Sequence, residues 1–332
     1  TNLSTDEQTK NQFFSEFSIA NLAFKNIDIG AYLWSKDVHL EEIILEEPNV
    51  FLEQIYKKPQ HQREKTEEVI ILLAQKIRKA FNKIEVEKLS IRRANFVLET
   101  PKEGIKITHQ VKRVDLTLSK IYFNSQAHKA RDILKLGELL ANLRTYTFQL
   151  GEVIYQASVE NLQIASQDSS IRIQNLKLAP KSIEENKETY RTVKADVEVE
   201  RVLLSQIDFT KFLYEKKIII GNWQMQEVLA NISLDKTLPK KQRLTQKSLE
   251  KFLKDLPFFI KINTFAIENA QVAYQEKLKV GSQQTREIYH KADSIFIQLQ
   301  NLALGLASME TKQKNPLYSD KIALQFKHYE HQ

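Results

Sequence analysis

Cysteine is absent from the 332 residues, and glycine and proline occur only seven times each. Without cysteine there is no disulfide framework, no thiolate nucleophile and no zinc ribbon, and the chain suits an oxidising or a reducing compartment equally. So little glycine and proline excludes collagen-like and low-complexity chains, and no glycine-rich phosphate loop or dinucleotide fingerprint is present. No run approaches the roughly 20 apolar residues of a membrane-spanning helix. The chain opens at Thr1 without a signal-peptide pattern, which is compatible with a leading anchor outside this sequence. Charge of one sign is also missing: 49 Lys and Arg stand against 42 Asp and Glu, for a net +7. The basic clusters, such as Lys57-Lys58 and Lys240-Lys241, are far apart and no basic stripe alternates with aromatics, so nucleic acid is not an expected partner.

What remains is 42% hydrophobic sequence, enough for a sizeable core, and a length that suggests one large or two medium domains. Self-similarity organises it. Moving the sequence by 180 places sets Phe17, Ile19, Leu22 and Phe24 on Val197, Val199, Val202 and Leu204, and Ile27-Asp28 on Ile207-Asp208. At 176 places, Ile84, Val86, Leu89, Ile91, Phe96 and Leu98 fall on Ile260, Ile262, Phe265, Ile267, Val272 and Tyr274. At 181 places, Val114, Leu116 and Leu118 meet Ile295, Ile297 and Leu299. The expectation is a duplication, with a first repeat over 1–190 and a second over 191–332. The second breaks off before the strand pattern of the first is complete, as in a fragment of a longer array.

Within each copy the hydrophobic period is two, which predicts strands with one apolar face. A finer motif recurs at 17–24, 84–91, 116–123, 157–164, 171–178, 197–204, 260–267 and 297–304: apolar, any, apolar, two polar, apolar, any, apolar. The paired polar residues shift the alternation by one, so a bulge or bend is needed to keep one face apolar. Asn21, Asn161, Asn175 and Asn301 occupy the second polar position, and Asn tolerates φ > 0, so bends are expected there. Amphipathic helices are expected over about 62–82, over 248–256 and over 127–140. Short helical turns are expected after Asp28 and Asp208, each Asp capping the orphan N–H groups, with Lys36 and Lys216 at the far end of the dipole.

The sequence offers little chemistry. Of seven histidines, only His328 and His331 have a spacing compatible with metal ligands. The acid pairs Glu41-Glu42, Glu46-Glu47, Glu67-Glu68 and Glu184-Glu185 suit solvated edges and helix faces. Trp34 and Tyr214 fall at equivalent repeat positions and suit core packing. No nucleophile, base and orienting acid group together, so the chain is not expected to be an enzyme and calls for no cofactor.

The run Asp28, Leu33, Val38-His39-Leu40, Ile43-Ile44-Leu45 and Pro48-Asn49-Val50-Phe51-Leu52 resembles the AsmA-like proteins of Gram-negative envelopes. The block 83–96 is similar to that family's following strand pair, and its second copy, 260–274, is the closer match; the second copy lacks the Pro after Met225. AsmA-like proteins are similar in turn to bridge-like lipid-transfer proteins built from repeating β-grooves. The resemblance implies a mainly β fold, an elongated, curved antiparallel sheet of two similar repeats with a few amphipathic helices. It also implies a periplasmic location in a Gram-negative bacterium, with anchorage to the inner membrane by a segment missing from this chain. The implied activity is carriage of phospholipid between inner and outer membrane, with acyl chains as ligand and membrane proteins as possible partners. The expected lining is Ile84, Val86, Leu89, Ile91, Phe96 and Leu98 together with Ile260, Ile262, Phe265, Ile267, Val272 and Tyr274. Glu85, Arg92, Lys261 and Glu268 are expected to point to water, and the helix near 62–82 to shield part of the face. The alternative is a structural envelope scaffold of the same fold whose closed sheets bind other proteins.

Overall fold

The computed structural model describes residues 12–55, 66–102, 105–150, 155–180, 193–215, 217–239, 259–280, 284–304 and 317–331. Strands dominate, and the chain divides into two compact units. Unit 1 is Thr1–Gln149 with Asn161–Asp168, and unit 2 is Leu150–Glu160 with Ser169–Gln332.

In unit 1, β1 (Gln12–Ser18) and β2 (Asn21–Ile27) are followed by α1 (Ile29–Ser35), β3 (Asp37–Glu46) and β4 (Asn49–Ile55). After α2 (Thr66–Ile77) come two 20-residue strands, β5 (Lys83–Lys102) and β6 (Ile105–Asn124). A single turn of helix, α3 (Ala130–Ile133), then leads into β7 (Leu134–Lys135) and β8 (Leu139–Leu150), and β9 (Tyr155–Ala165) spans the division between units. Unit 2 holds β10 (Ser170–Pro180), β11 (Val193–Ile207), α4 (Phe209–Glu215) and β12 (Lys217–Asp235). The long strands β13 (Phe259–Val280) and β14 (Gln284–Leu304) follow, with the short β15 (Leu317–Tyr318), β16 (Lys321–Gln325) and β17 (His328–His331) against β14.

Most neighbours are antiparallel, as the alternation predicts. Parallel pairing enters at one joint in each unit: β3 and β4 run parallel to β5, and β12 runs parallel to β13. The physical reason is connection length. Residues 56–82 and 236–258 are long crossovers, and a crossover of a dozen or more residues returns a chain in the same direction where a short turn cannot.

The paired polar residues do what the alternation requires, through rows of bent residues that cross several strands together. In unit 1, Asn26 (φ 49°) and Lys120 (φ 52°) bracket Glu41 and Glu87. On one side of this row Ile27, Leu40, Val86 and Ile121 are paired, and on the other Lys25, Glu42, Lys88 and Ser119. In unit 2, Gln206 (φ 56°) and Asn301 (φ 53°) bracket Gly221 and Asn263 in the same way. Gly221 is required there, because a Cβ would lie 2.1 Å from the Gln206 Oε1 and 2.5 Å from its Cβ. A second row contains Glu47, Arg93, Arg113 and Thr145 in unit 1 and Asn175, Glu227, Asn269 and Ser294 in unit 2, all at positive φ. The N–H groups freed from the ladder find other acceptors: Arg93 donates to Asp115 Oδ1 at 2.9 Å and Arg113 to Asn95 Oδ1 at 3.2 Å. The bent residues Asn26 and Gln206, Glu47 and Glu227, Arg93 and Asn269, Arg113 and Ser294, and Lys120 and Asn301 stand 180, 180, 176, 181 and 181 places apart.

Of the four expected asparagines, Asn175 and Asn301 have positive φ and Asn21 begins β2 just after the break at Ala20. Asn161 does not have positive φ. Its neighbour Glu160 accepts from the Asn175 side-chain amide. At a positive-φ site a β-branched residue is strained by about 1–2 kcal/mol and glycine is not. Ser294 (φ 55°) isolates that effect, since its hydroxyl makes no hydrogen bond among the described residues. Ser294→Val should lower stability in urea by about 1–2 kcal/mol while Ser294→Gly leaves it unchanged or raises it; equal loss in both would remove the strain argument.

Both helical turns form where expected. Asp28 Oδ1 accepts from the Ala31 N–H and Asp208 Oδ1 from the Lys211 N–H, each at 3.0 Å. Lys36 closes α1 in the left-handed region at φ 57°; Lys216 and the helix expected over 248–256 lie outside the described residues. The helix near 62–82 is present over Thr66–Ile77, and Ala74 on it is buried. The helix expected over 127–140 is corrected to the single turn α3. Leu134 pairs with Phe123, and Leu139 to Leu143 with Leu118 to Val114, so strand β6 captures that segment for the sheet. Trp34 is also corrected: it is 93% exposed and does not pack in a core. Helix α1 sits at the strand ends, and its Tyr32 ring lies 5.9 Å from that of Phe81.

Candidate functional site

The ladders set five of the six expected residues of β5 opposite apolar neighbours on both sides, and Leu98 opposite Leu52 and His109. Leu40, Val86 and Ile121 form one row, Phe24, Ile43, Leu89 and Leu118 another, and Leu22, Leu45, Ile91 and Leu116 a third. Ile84 continues the face between Val38 and Phe123. Beyond the second bulge row, Phe96 lies between Val50 and Val111, and Leu98 between Leu52 and His109. Val86 is buried, the other five residues of β5 are half-buried, and Phe24 at the outer strand is 51% exposed.

In unit 2 the corresponding face closes into two packed clusters. Ile260, Ile262 and Phe265 pack with Ile207, Ile220 and Leu302, and Ile262 is 0% exposed. Ile267 and Val272 pack with Val199, Val202, Val228, Ala270 and Ile295. Trp223 joins both clusters, edge-on to Phe265 at 5.6 Å, and its indole N–H is buried with no acceptor among the described residues. Tyr274 belongs to neither cluster: its hydroxyl donates to Glu276 Oε2 at 2.6 Å and its ring leans on His290. The face continues onto β16, where Leu324 pairs with Ile297 and Ile322 with Leu299, and there it opens: Ile322 is 70% and Leu324 60% exposed.

At the far end of each face the lining changes from aliphatic to aromatic and polar, which the apolar pattern did not disclose. His109 Nδ1 lies 3.2 Å from the Tyr146 hydroxyl in unit 1, with Phe148 stacked on both rings. His290 Nδ1 lies 2.6 Å from the Tyr329 hydroxyl in unit 2, with His331 stacked on the imidazole. Burial pushes the His109 pKa down and the Tyr146 pKa up, so both are neutral at pH 7 and add no charge to the face. The signal was available: His109 and His290 are 181 places apart, and Tyr146 and Tyr329 are 183 apart.

The opposite face is polar. Glu85 pairs with His39 at 2.9 Å and Arg92 with Glu46 at 3.4 Å, Lys261 is exposed, and Glu268 accepts from Gln224 and Gln226. Glu42 is the centre of a ladder on this face, between Lys25 at 2.8 Å and Lys88 at 3.2 Å, with the Ser90 hydroxyl donating at 2.9 Å. The Lys25 bond, then Ser90 and Lys88, hold its pKa down to about 2. A carboxyl whose folded pKa lies below its unfolded value stabilises the fold above the unfolded value, and the contribution disappears as pH falls through the folded one. Glu42→Gln should therefore lower the melting temperature at pH 7 and flatten its decline between about pH 4.5 and 2. Parallel melting curves for parent and variant over that range would show that the ladder contributes nothing.

Among the described residues, no three His, Asp or Glu side chains converge as a metal site would require. The arrangement offers apolar area, two His–Tyr pairs and one unpaired indole N–H. Comparison with family models, with curated proteins and with solved structures finds no match for this chain.

Proposed function

We propose that this chain is a non-enzymatic carrier of phospholipid acyl chains, with the apolar faces of two duplicated units as its lipid-binding surface. The observation that carries the reading is the exposure gradient: an apolar face maintained through two rows of bends is left half-buried on β5 and largely open at Phe24, Ile322 and Leu324. Apolar rows of this kind are rarely left open to water without an occupant. An acyl chain would supply one, gaining roughly 0.8 kcal/mol for each CH₂ removed from water. The duplication is supported by five pairs of bent residues and two capped helical turns that stand at the spacings of the sequence pattern. Placement in the periplasm of a Gram-negative bacterium, and transfer between inner and outer membranes, rest on the resemblance of residues 28–52 to AsmA-like proteins.

One observation favours a second reading, a scaffold with closed sheets that binds other proteins. The clusters around Ile262 and Val199 in unit 2 are buried and packed on several sides by apolar neighbours. Mass spectrometry of the gently purified chain separates the two: co-purified phospholipid is expected for the carrier, and its absence favours the scaffold.

A further inference from the structure

The elements at one end of the unit 1 strands are held together by an interlocking set of hydrogen bonds. Asn82 donates its N–H to Lys36 O at 2.9 Å and its side-chain amide to Ser35 O at 2.6 Å. Ser125 donates to Asn82 O, and Arg78 Nε to Ser125 O, which brings the ends of α1 and α2 and the approach to α3 together. From this fixed base α1 projects apolar side chains away from the protein. Trp34 is 93% exposed, Leu33 74% and Ile29 63%. Ile29 and Leu33 are four residues apart and share a helix face. Exposure of this size on large side chains is unfavourable in water alone and marks a contact surface.

The charge around α1 indicates what it touches. Lys36, Lys76, Lys79, Lys83 and Lys129 are all exposed, and none makes an ion pair with a described residue. The acids at this end are fewer: Asp28 is engaged in capping α1 and Glu85 pairs with His39, and Asp37 and Asp132 are also present. Glu67 and Glu68 lie at the opposite end of α2. The surface is therefore an exposed apolar cluster within a basic collar. Tryptophan beside aliphatic residues, surrounded by lysines, matches the headgroup boundary of an anionic bilayer, where the indole prefers to lie and each nearby basic residue adds attraction.

We infer that this end of unit 1 is a docking surface for the anionic headgroup layer of a phospholipid membrane, with Leu33 and Trp34 as the inserted residues. Docking through α1 and its collar stands independently of whether the apolar faces carry lipid.

The test is co-sedimentation of the full chain with vesicles of phosphatidylcholine alone and of phosphatidylcholine with phosphatidylglycerol in equal parts. Binding to the anionic vesicles is expected to be at least about tenfold stronger and to weaken with salt. Lys79→Glu/Lys83→Glu should lose about 25-fold in affinity, taking about fivefold for each basic residue at an anionic surface. Leu33→Ser/Trp34→Ser should release the chain from the vesicles. The emission difference between parent and Trp34→Ser should move to shorter wavelength when anionic vesicles are added. All four positions are exposed, so both variants should melt as the parent does. Equal binding of neutral and anionic vesicles, or variants that melt normally and bind as the parent does, overturns the inference. Lipid retained in the purified protein is a separate readout: it should be the same in parent and both variants, and its absence from all three would count against the carrier reading alone.

Discussion

Ile262→Asp should abolish the cooperative unfolding of unit 2. Ile262 is 0% exposed at the centre of a cluster with Ile207, Ile220 and Leu302, and its backbone lies in the ladders of both β12 and β14. The substitution removes a fully buried aliphatic side chain, worth about 2–5 kcal/mol when truncated, and places a carboxylate among Ile207, Ile220 and Leu302. A loss on the order of 5 kcal/mol is comparable to the whole stability of many domains. The expected result is missing near-ultraviolet circular dichroism from Trp223, which packs in the same cluster, and a broad or absent melting transition. Retention of a sharp transition would mean that water reaches Ile262, and that the cluster is a wet groove and not a core.

Phe24→Asp and Leu324→Asp should have the opposite profile. Both side chains continue the apolar face onto a poorly covered strand, at 51% and 60% exposure. Substitution at such positions typically changes stability by no more than about 0.5 kcal/mol, so the melting temperature should be nearly that of the parent. Bound phospholipid should nevertheless fall several-fold, because each carboxylate stands where an acyl chain would have to lie and cannot be desolvated cheaply. Ile91→Asp and Ile267→Asp, at half-buried sites, should show both effects in part. Unchanged lipid content in Phe24→Asp and Leu324→Asp would remove the open face from the mechanism. Loss of stability in both, with no lipid in the parent, would favour the closed scaffold.

The strands, their apolar face and the capped turns after Asp28 and Asp208 were legible in the sequence because they are local. Period-two alternation, an Asp before a short apolar turn, and two polar residues where one is due all state a preference within a few residues. The same local signal set the apolar residues of β5 in register with apolar neighbours, and it correctly anticipated bends at Asn175 and Asn301. It failed where the outcome depends on a neighbour. Asn161 has no positive φ although its sequence position matches that of Asn175, while residues with no special tolerance for φ > 0, such as Arg93, Arg113 and Lys120, adopt it because their row demands it. The segment 127–140 has helical periodicity, yet pairing with β6 overrides a propensity worth only tenths of a kcal/mol per residue. Parallel pairing of β12 with β13 was invisible because alternation carries no direction; the long crossover decides it. Whether an apolar position is sealed like Ile262, half-covered like Ile91 or open like Leu324 and Trp34 also followed from no residue's identity. Burial depends on what the finished chain places over each position, and strand-end geometry left Trp34 in water.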